Sequence, residues 1–263
     1  MSQVAPDLVD SVTLDAFERD GAVLVQSLVD APVLARLRTA TDAALSQSEN
    51  YFRRQRMWES DPVCRDFCLH SFAPLVAAQL LSTRKINLLY DQVFAKEAGA
   101  VATPWHNDQP YWPVRGPAMT LWLALDGVPF AGGSLEFIAG SHKWDRWFQP
   151  FVTGNDGGVD APYEATDGLF EPLPDFDCER DQHTVLCWEM EPGDVIAFHA
   201  MVVHGARANS SKQVRRGYAV RYTGEGATYH VGPGVNPRIT NDTLRPGQQL
   251  DSAQYPVAYR RDV

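Results

Sequence analysis

Residues 86–96, INLLYDQVFAK, open a series of short segments dense in Val, Ile, Leu, Phe, Tyr and Trp, and their reading decides the fold. The pattern recurs at 105–109 (WHNDQ), 119–126 (MTLWLALD), 134–138 (SLEFI), 184–189 (TVLCWE), 194–199 (DVIAFH), 202–205 (VVHG) and 214–223 (VRRGYAVRYT), with Gly- and Pro-bearing turns between. β-Branched and aromatic side chains suit a pleated, half-buried surface. Many short strands of this kind predict a mainly β sandwich or barrel.

Upstream the period changes. Thr13 precedes LDAFERDG, read as a capped helix stopped at Gly21, and AVLVQ then has the apolar density of a strand. Asp30-Ala31-Pro32 starts a second helix, with Val33, Leu34, Leu37, Ala40 and Ala44 at helical spacing. Asp61-Pro62 opens a third helical stretch that SFAPLVAAQLLS carries to about residue 82, and the basic YFRRQR at 51–56 reads as a solvated helix face. A single domain is expected: a mainly helical buttress over 1–85, a core over 86–223 and a C-terminal extension over 224–263.

The chain has 263 residues with 23 Lys or Arg and 33 Asp or Glu, a net charge of −10. That balance argues against nucleic acid or an anionic membrane as partner. No apolar run approaches the roughly 18 residues of a membrane span, and MSQVAPDLVD lacks the regions of a signal peptide, so a cytoplasmic location is expected. Cys64, Cys68, Cys178 and Cys187 form no C-x-x-C pair and read as reduced structural thiols. Residues 145–180 lack periodicity and hold nine acidic residues against Arg146 and Arg180, a net charge of −7. So long an insert in a compact domain predicts a lid, with Phe148, Phe151, Tyr163, Leu169 and Phe170 as its packing residues.

Trp105-His106-Asn107-Asp108 carries the sharpest chemical signal, because residues i and i+2 of an extended strand project to one side. His106 and Asp108 can then hold two adjacent positions of a metal. His204, after the strand-like DVIAFH, is the preferred third ligand, with His199 as its rival. Two His and one carboxylate from separate strands form the facial triad of non-haem Fe(II) oxygenases, which leaves positions open for cosubstrate and O2. Arg215 opens a later strand and offers the bidentate contact that the far carboxylate of 2-oxoglutarate needs. Arg216 must point to the opposite face. Arg221 shares the parity of Arg215 and either anchors a substrate acid or pairs with a barrel carboxylate.

With TPWHND, LWLALDGV, GGSLEFIAGSHK, EPGDVIAFH, VVHGARANSS and RRGYAVRYTG in this order, and FERDGAVLVQSLVD before them, the chain resembles the phytanoyl-CoA dioxygenase family of Fe(II)/2-oxoglutarate oxygenases. The resemblance covers most of the chain apart from the acidic insert. It implies a double-stranded β-helix, a cupin-like jelly roll with flanking α-helices. It also implies His106, Asp108 and His204 as iron ligands and Arg215 as partner of the 2-oxoglutarate C5 carboxylate. Gln92, Lys96, Thr120 and Trp122 lie where the family lines the cosubstrate pocket. Two departures stand out: Asn107 where the family usually has Gln, and Ala206 where it has Ser.

The expected reaction is hydroxylation of an unactivated C–H bond, coupled to conversion of 2-oxoglutarate to succinate and CO2. Tyr111 and Trp112, flanking the first two ligands, are candidate substrate-binding residues, and His142 in the GSHK turn reads as structural. A halogenase would lack the carboxylate that Asp108 supplies. A zinc hydrolase would not need Arg215, and a binding protein would not need triad and Arg together. The acidic insert favours a neutral, zwitterionic or cationic small molecule over an acyl-CoA, since like charges slow encounter. Oligomeric state is left open.

Overall fold

The computed structural model describes residues 8–47, 53–153, 159–162, 168 and 170–261. In chain order its helices are α1 (Ser11–Asp20), α2 (Ala31–Ser46), α3 (Pro62–His70) and α4 (Ala73–Leu80). Its strands are β1 (Ala22–Val25), β2 (Arg53–Gln55), β3 (Lys85–Lys96), β4 (Thr103–His106), β5 (Val114–Arg115), β6 (Ala118–Ala124), β7 (Leu135–Ile138), β8 (Phe151–Thr153), β9 (Val159–Pro162), β10 (Val185–Cys187), β11 (Val195–His199), β12 (His204–Ala206), β13 (Arg215–Gly224), β14 (Thr228–Tyr229) and β15 (Val257–Arg260).

A seven-stranded antiparallel sheet runs β1-β11-β6-β13-β3-β15, with β2 also paired to β3, and a four-stranded sheet runs β10-β7-β12-β4. These are the two sheets of a jelly roll. The outer edge of β3 is shared by β15, at residues 85–87, and β2, at residues 92–94. The helical buttress and the C-terminal extension thus each contribute strands to the main sheet. Within YFRRQR the described residues are not a helix face: Arg53–Gln55 is an edge strand, where charged side chains discourage pairing with other chains.

Strict alternation gives the large sheet two different faces. Met119, Leu121, Leu123, Tyr218, Val220 and Tyr222 point to the helices and join Leu37, Phe67, Val76 and Ala77 in the main core. Trp122, Ala124, Ile196, Phe198 and Ala219 point inward and meet Phe137 of the small sheet. Fully burying side chains of this size contributes about 1.5–3 kcal/mol each, which is why the register of the long strands is firmly set.

The helix ends follow the sequence with two differences. Asp30 and Asp61 cap α2 and α3 by accepting backbone N–H groups of Val33, and of Val63 and Cys64. The cap of α1 is Asp10, which accepts from Thr13 N–H, so the helix starts before Thr13 rather than after it. The stretch expected to run unbroken to residue 82 is two helices, interrupted at Ser71 and Phe72, where extended Ser71 precedes a fresh start with Pro74 in the first turn.

Candidate metal centre

His106 ends β4 and His204 begins β12, and the two are register partners across the small sheet with ring centroids 4.3 Å apart. Asp108 is not on the strand, contrary to the i, i+2 expectation. Its backbone is helical, at φ −77° and ψ −36°, and it precedes a 3-10 turn over Gln109–Tyr111 with Pro110 at its start. The N–H groups of Asp108 and Gln109 both donate to Ala200 O, and this turn, not strand parity, brings the carboxylate back to His106. His106 Nε2 and Asp108 Oδ1 lie 3.8 Å apart, and ligand atoms of His106, Asp108 and His204 all fall within 4.8 Å of one another.

Each imidazole is oriented by a carbonyl two residues before it. His106 Nδ1 lies 2.8 Å from Pro104 O and His204 Nδ1 3.1 Å from Val202 O. A carbonyl only accepts, so each Nδ1 carries the proton and each Nε2 lone pair is free to bind a metal. Burial, reinforced by the neighbouring His106, holds the His204 pKa down to about 4, so it stays neutral as a ligand must. Phe198 and Phe137 pack on the His204 ring at 4.8 and 5.7 Å. Two imidazoles and one carboxylate oxygen form a donor set that fits a divalent iron of the facial-triad type.

His199 lies elsewhere. It accepts Met201 N–H on Nδ1, and its ring faces His142 at 5.4 Å, outside the three-residue cluster. His142 Nε2 meets Glu18 O at 3.2 Å and ties the GSHK turn to α1.

The inner face of the large sheet carries the other expected residues in cross-strand rows. Lys96 pairs with Arg215, Gln92 with Ala219 and Trp122, and Tyr90 with Arg221 and Thr120. Thr120 Oγ1 reaches Asp108 Oδ2 at 3.5 Å, which places that row beside the metal cluster. Arg215 extends over the Trp122 ring at 5.0 Å and donates from Nη2 to Gly133 O at 2.6 Å, while its Nε is buried without a partner. Among the described residues the Lys96 ammonium reaches only Thr103 Oγ1, at 3.3 Å. Among the described residues neither cation has a carboxylate within 4 Å. Burial, with Arg215 alongside, pushes the Lys96 pKa down to about 7, and burial lowers that of Arg215 to about 10. Two desolvated cations and an orphaned guanidinium N–H fit an anionic ligand such as the far carboxylate of a dicarboxylic acid.

Arg216 faces outward, as parity requires, and is fully paired with Asp126 and Asp42. Tyr111 belongs to the site, its ring 6.0 Å from His106. Trp112 does not stand in that ring shell: it is fully buried in a second core, edge-on to Tyr90.

Sequence reading missed Gly217, whose absent side chain makes room for Trp122: a Cβ there would lie 1.9 Å from the indole. It also missed Phe151, whose ring is 5.7 Å from His106 and whose N–H donates to Tyr111 Oη at 2.9 Å. Phe151 lies in the acidic insert, so the insert reaches the first ligand. Its two ends are rooted on β4: Asn107 Nδ2 donates to Arg146 O, Trp105 Nε1 to Asp177 Oδ1, and Phe148 and Phe176 pack with Trp105. Tyr163 and Leu169, named above as packing residues, lie outside the described residues.

The family model for phytanoyl-CoA dioxygenase (PhyH) matches residues 17–217. A probable phytanoyl-CoA dioxygenase of Caenorhabditis elegans is 27% identical over 187 residues, covering 65% of this chain and 54% of that protein. The phytanoyl-CoA dioxygenase of Arabidopsis thaliana is 26% identical over 164 residues, covering 62% and 53%. The chain thus matches about half the length of these curated relatives. Among solved structures, the non-heme alpha ketoglutarate dependent carbocyclase SnoK of nogalamycin biosynthesis superposes with a TM-score of 0.74 at 22% identity, covering 95% of this chain and 96% of that one. The epimerase SnoN of the same biosynthesis gives 0.73 at 21%, covering 94% and 98%. EctD from S. alaskensis, with 2-oxoglutarate and 5-hydroxyectoine, gives 0.67 at 19%, covering 89% and 83%. At these identities the likeness shows the double-stranded β-helix fold. Among the described residues no helix is long and apolar enough to cross a membrane.

Proposed function

This chain belongs to the phytanoyl-CoA dioxygenase family, and from that premise we propose that it is a non-haem Fe(II)/2-oxoglutarate-dependent dioxygenase acting on a small molecule. One observation carries the reading: a His106–Asp108–His204 donor set adjoins the inner sheet face that carries Arg215 and Lys96, two buried cations with no carboxylate within 4 Å among the described residues. His106, Asp108 and His204 would hold the iron, which when bound supplies the redox chemistry that couples 2-oxoglutarate decarboxylation to substrate oxidation.

The protein's own residues set the conditions. Arg215 and Lys96 anchor the C5 carboxylate, with Trp122 as the wall behind it and Gln92 beside it, while Thr120 lines the metal end of the cosubstrate pocket. Thr120 also touches Asp108 and so steadies the carboxylate ligand. Tyr111 and Phe151 cover His106 on the insert side and exclude water from the reacting centre.

The substrate we propose is a free metabolite, not a coenzyme A thioester, oxidised by hydroxylation of an unactivated C–H bond. Support comes from the insert, which is rooted beside the first ligand and carries a net charge of −7. Such a mouth disfavours a polyanion and suits a neutral, zwitterionic or cationic molecule. The names of the curated relatives favour the acyl-CoA alternative, and those of SnoK and SnoN point to carbocyclisation and epimerisation.

The test is anaerobic reconstitution with Fe(II) and 2-oxoglutarate, then exposure to oxygen with a metabolite panel of acyl-CoA thioesters and the matching free acids and amines. Succinate release stimulated by a free compound, with gain of one oxygen atom in that compound, is the expected result. Stimulation by thioesters alone overturns the substrate assignment, and a product without added oxygen overturns hydroxylation.

A further inference from the structure

Arg221 is the cation that the assignment above leaves over. It is 4% exposed, and among the described residues no carboxylate lies within 4 Å of it. Among the described residues its Nε is buried without a partner and its guanidinium makes one hydrogen bond, Nη1 to Ala219 O, long at 3.5 Å. What holds it is aromatic: the guanidinium lies over the Tyr90 ring at 4.6 Å and the Phe94 ring at 5.4 Å. Two ring faces position a cation and pre-order its fork, but they do not use its N–H donors. The alternative role, pairing with a barrel carboxylate, is not realised. Asp91 lies on the other face of the sheet, its carboxylate taken by Trp58 N–H and Tyr218 Oη, and Arg221 acts on it through the sheet as a charge at a distance, without a hydrogen bond. Arg216, on the same strand, shows what a structural arginine looks like here, with two carboxylates bound.

Position supplies the second half of the argument. Arg221 pairs in register with Thr120, whose hydroxyl touches Asp108, whereas Arg215 starts from the far end of β13 beside Lys96. A 2-oxoglutarate carboxylate held by Arg215 and Lys96 leaves the donors of Arg221 unanswered. A buried guanidinium with unused donors is costly to the fold unless a ligand completes it.

We propose that Arg221 is a second carboxylate anchor of this inner sheet face, on the metal side. This rests on the dioxygenase reading and deepens it. The carboxylate has two possible sources, the substrate or the end of 2-oxoglutarate next to the iron. A substrate that presents a carboxylate here and carries a compensating positive charge, a zwitterion, also agrees with the acidic insert.

The experiment uses the full chain with Fe(II) under anaerobic conditions, as wild type, Arg221→Met and Arg221→Lys. The dissociation constant of 2-oxoglutarate is read from the metal-to-ligand charge-transfer band. Thermal shift is then measured with a panel of amino-acid-derived carboxylates, each paired with its primary carboxamide. Absence of the band in wild type overturns the dioxygenase reading itself, before any variant is compared. With the band present, a tenfold or greater weakening of 2-oxoglutarate in Arg221→Met, partly restored in Arg221→Lys, assigns the anchor to the cosubstrate. Unchanged 2-oxoglutarate binding with loss of an acid-over-amide preference seen in wild type assigns it to the substrate. Without metal or ligand, Arg221→Met is expected to melt no lower than wild type, because it keeps the packing and removes an uncompensated charge. A variant that melts well below wild type, with both binding assays unmoved, makes Arg221 structural and overturns the proposal. So does a panel with no acid-selective shift in wild type together with unmoved 2-oxoglutarate binding.

Discussion

Lys96 and Arg215 face each other as register partners across β3 and β13, two buried cations side by side with no carboxylate within 4 Å among the described residues. Adjacent like charges are tolerated in a sheet only at a cost, and an anionic ligand removes it. Arg215→Lys is therefore expected to weaken 2-oxoglutarate binding by roughly 10- to 100-fold, the value of one charge-assisted, bidentate contact. Iron content should be unaffected. Titration calorimetry with 2-oxoglutarate and metal analysis of the same samples check both halves.

The same pair makes cosubstrate binding depend on pH. Lys96 is held down to about 7 by burial and by Arg215, so in the ligand-free protein it is charged below that pH and neutral above it. An anion binds the charged form. The dissociation constant of 2-oxoglutarate is thus expected to rise above pH 7, by up to about tenfold per unit, and Lys96→Met should bind weakly at every pH with a flatter profile. A wild-type profile flat from pH 6 to pH 9 would count against it.

His106→Ala, Asp108→Ala and His204→Ala should each lose bound iron and all turnover, because every one removes a third of the protein's donor set. His199→Ala should keep the metal, since its ring faces His142 instead. Iron quantified per chain after desalting separates the two groups.

Gly217→Ala places a Cβ against the Trp122 indole, a rigid ring that also lies under Arg215. Overpacking of this kind costs about 1–3 kcal/mol, or several degrees of melting temperature in a chain of this size. Weaker 2-oxoglutarate binding should accompany the lower melting point, because the displaced ring takes the guanidinium with it.

Asp91 gives stability a pH slope. Its carboxyl is fully buried beneath the sheet and burial raises its pKa to about 6, against the hydrogen bonds from Tyr218 and Trp58 that favour the charged form. The folded state binds its proton more tightly than the unfolded chain does. Its contribution is therefore fully present below about pH 4 and is lost as pH rises through about 6, a change of roughly 3 kcal/mol for a shift of about two units. Chemical denaturation of wild type and Asp91→Asn between pH 4 and pH 7 should show their stability difference moving by that amount in favour of the variant as pH rises.

The sequence reading went furthest where alternation alone decides position. Arg215, Gly217, Ala219 and Arg221 fall on one side of β13 and Arg216, Tyr218 and Val220 on the other, a split that period two dictates before any packing is known. The H-x-D spacing found the right pair by an incomplete route, because backbone donation of residues 108 and 109 to Ala200 O is a long-range event that no local pattern announces. Gly217 and Phe151 were illegible for a related reason. A glycine inside a strand signals a close approach but not by what, and nothing in the insert's composition says which ring meets His106. The strand at Arg53–Gln55 was obscured by its charge, which an edge strand and a solvated helix share.

The two ends of the acidic insert are fastened to β4, and to each other where the N–H groups of Gln149 and Glu171 exchange hydrogen bonds with Glu171 O and Trp147 O. Phe151, in the stretch that joins those fastenings, returns to His106, its ring 5.7 Å away. The Trp105–Phe148–Phe176 cluster holds the two ends in place beside the first ligand. A change of side chain at Phe151 would therefore reshape the wall over His106 while the two fastenings of the insert stay in place.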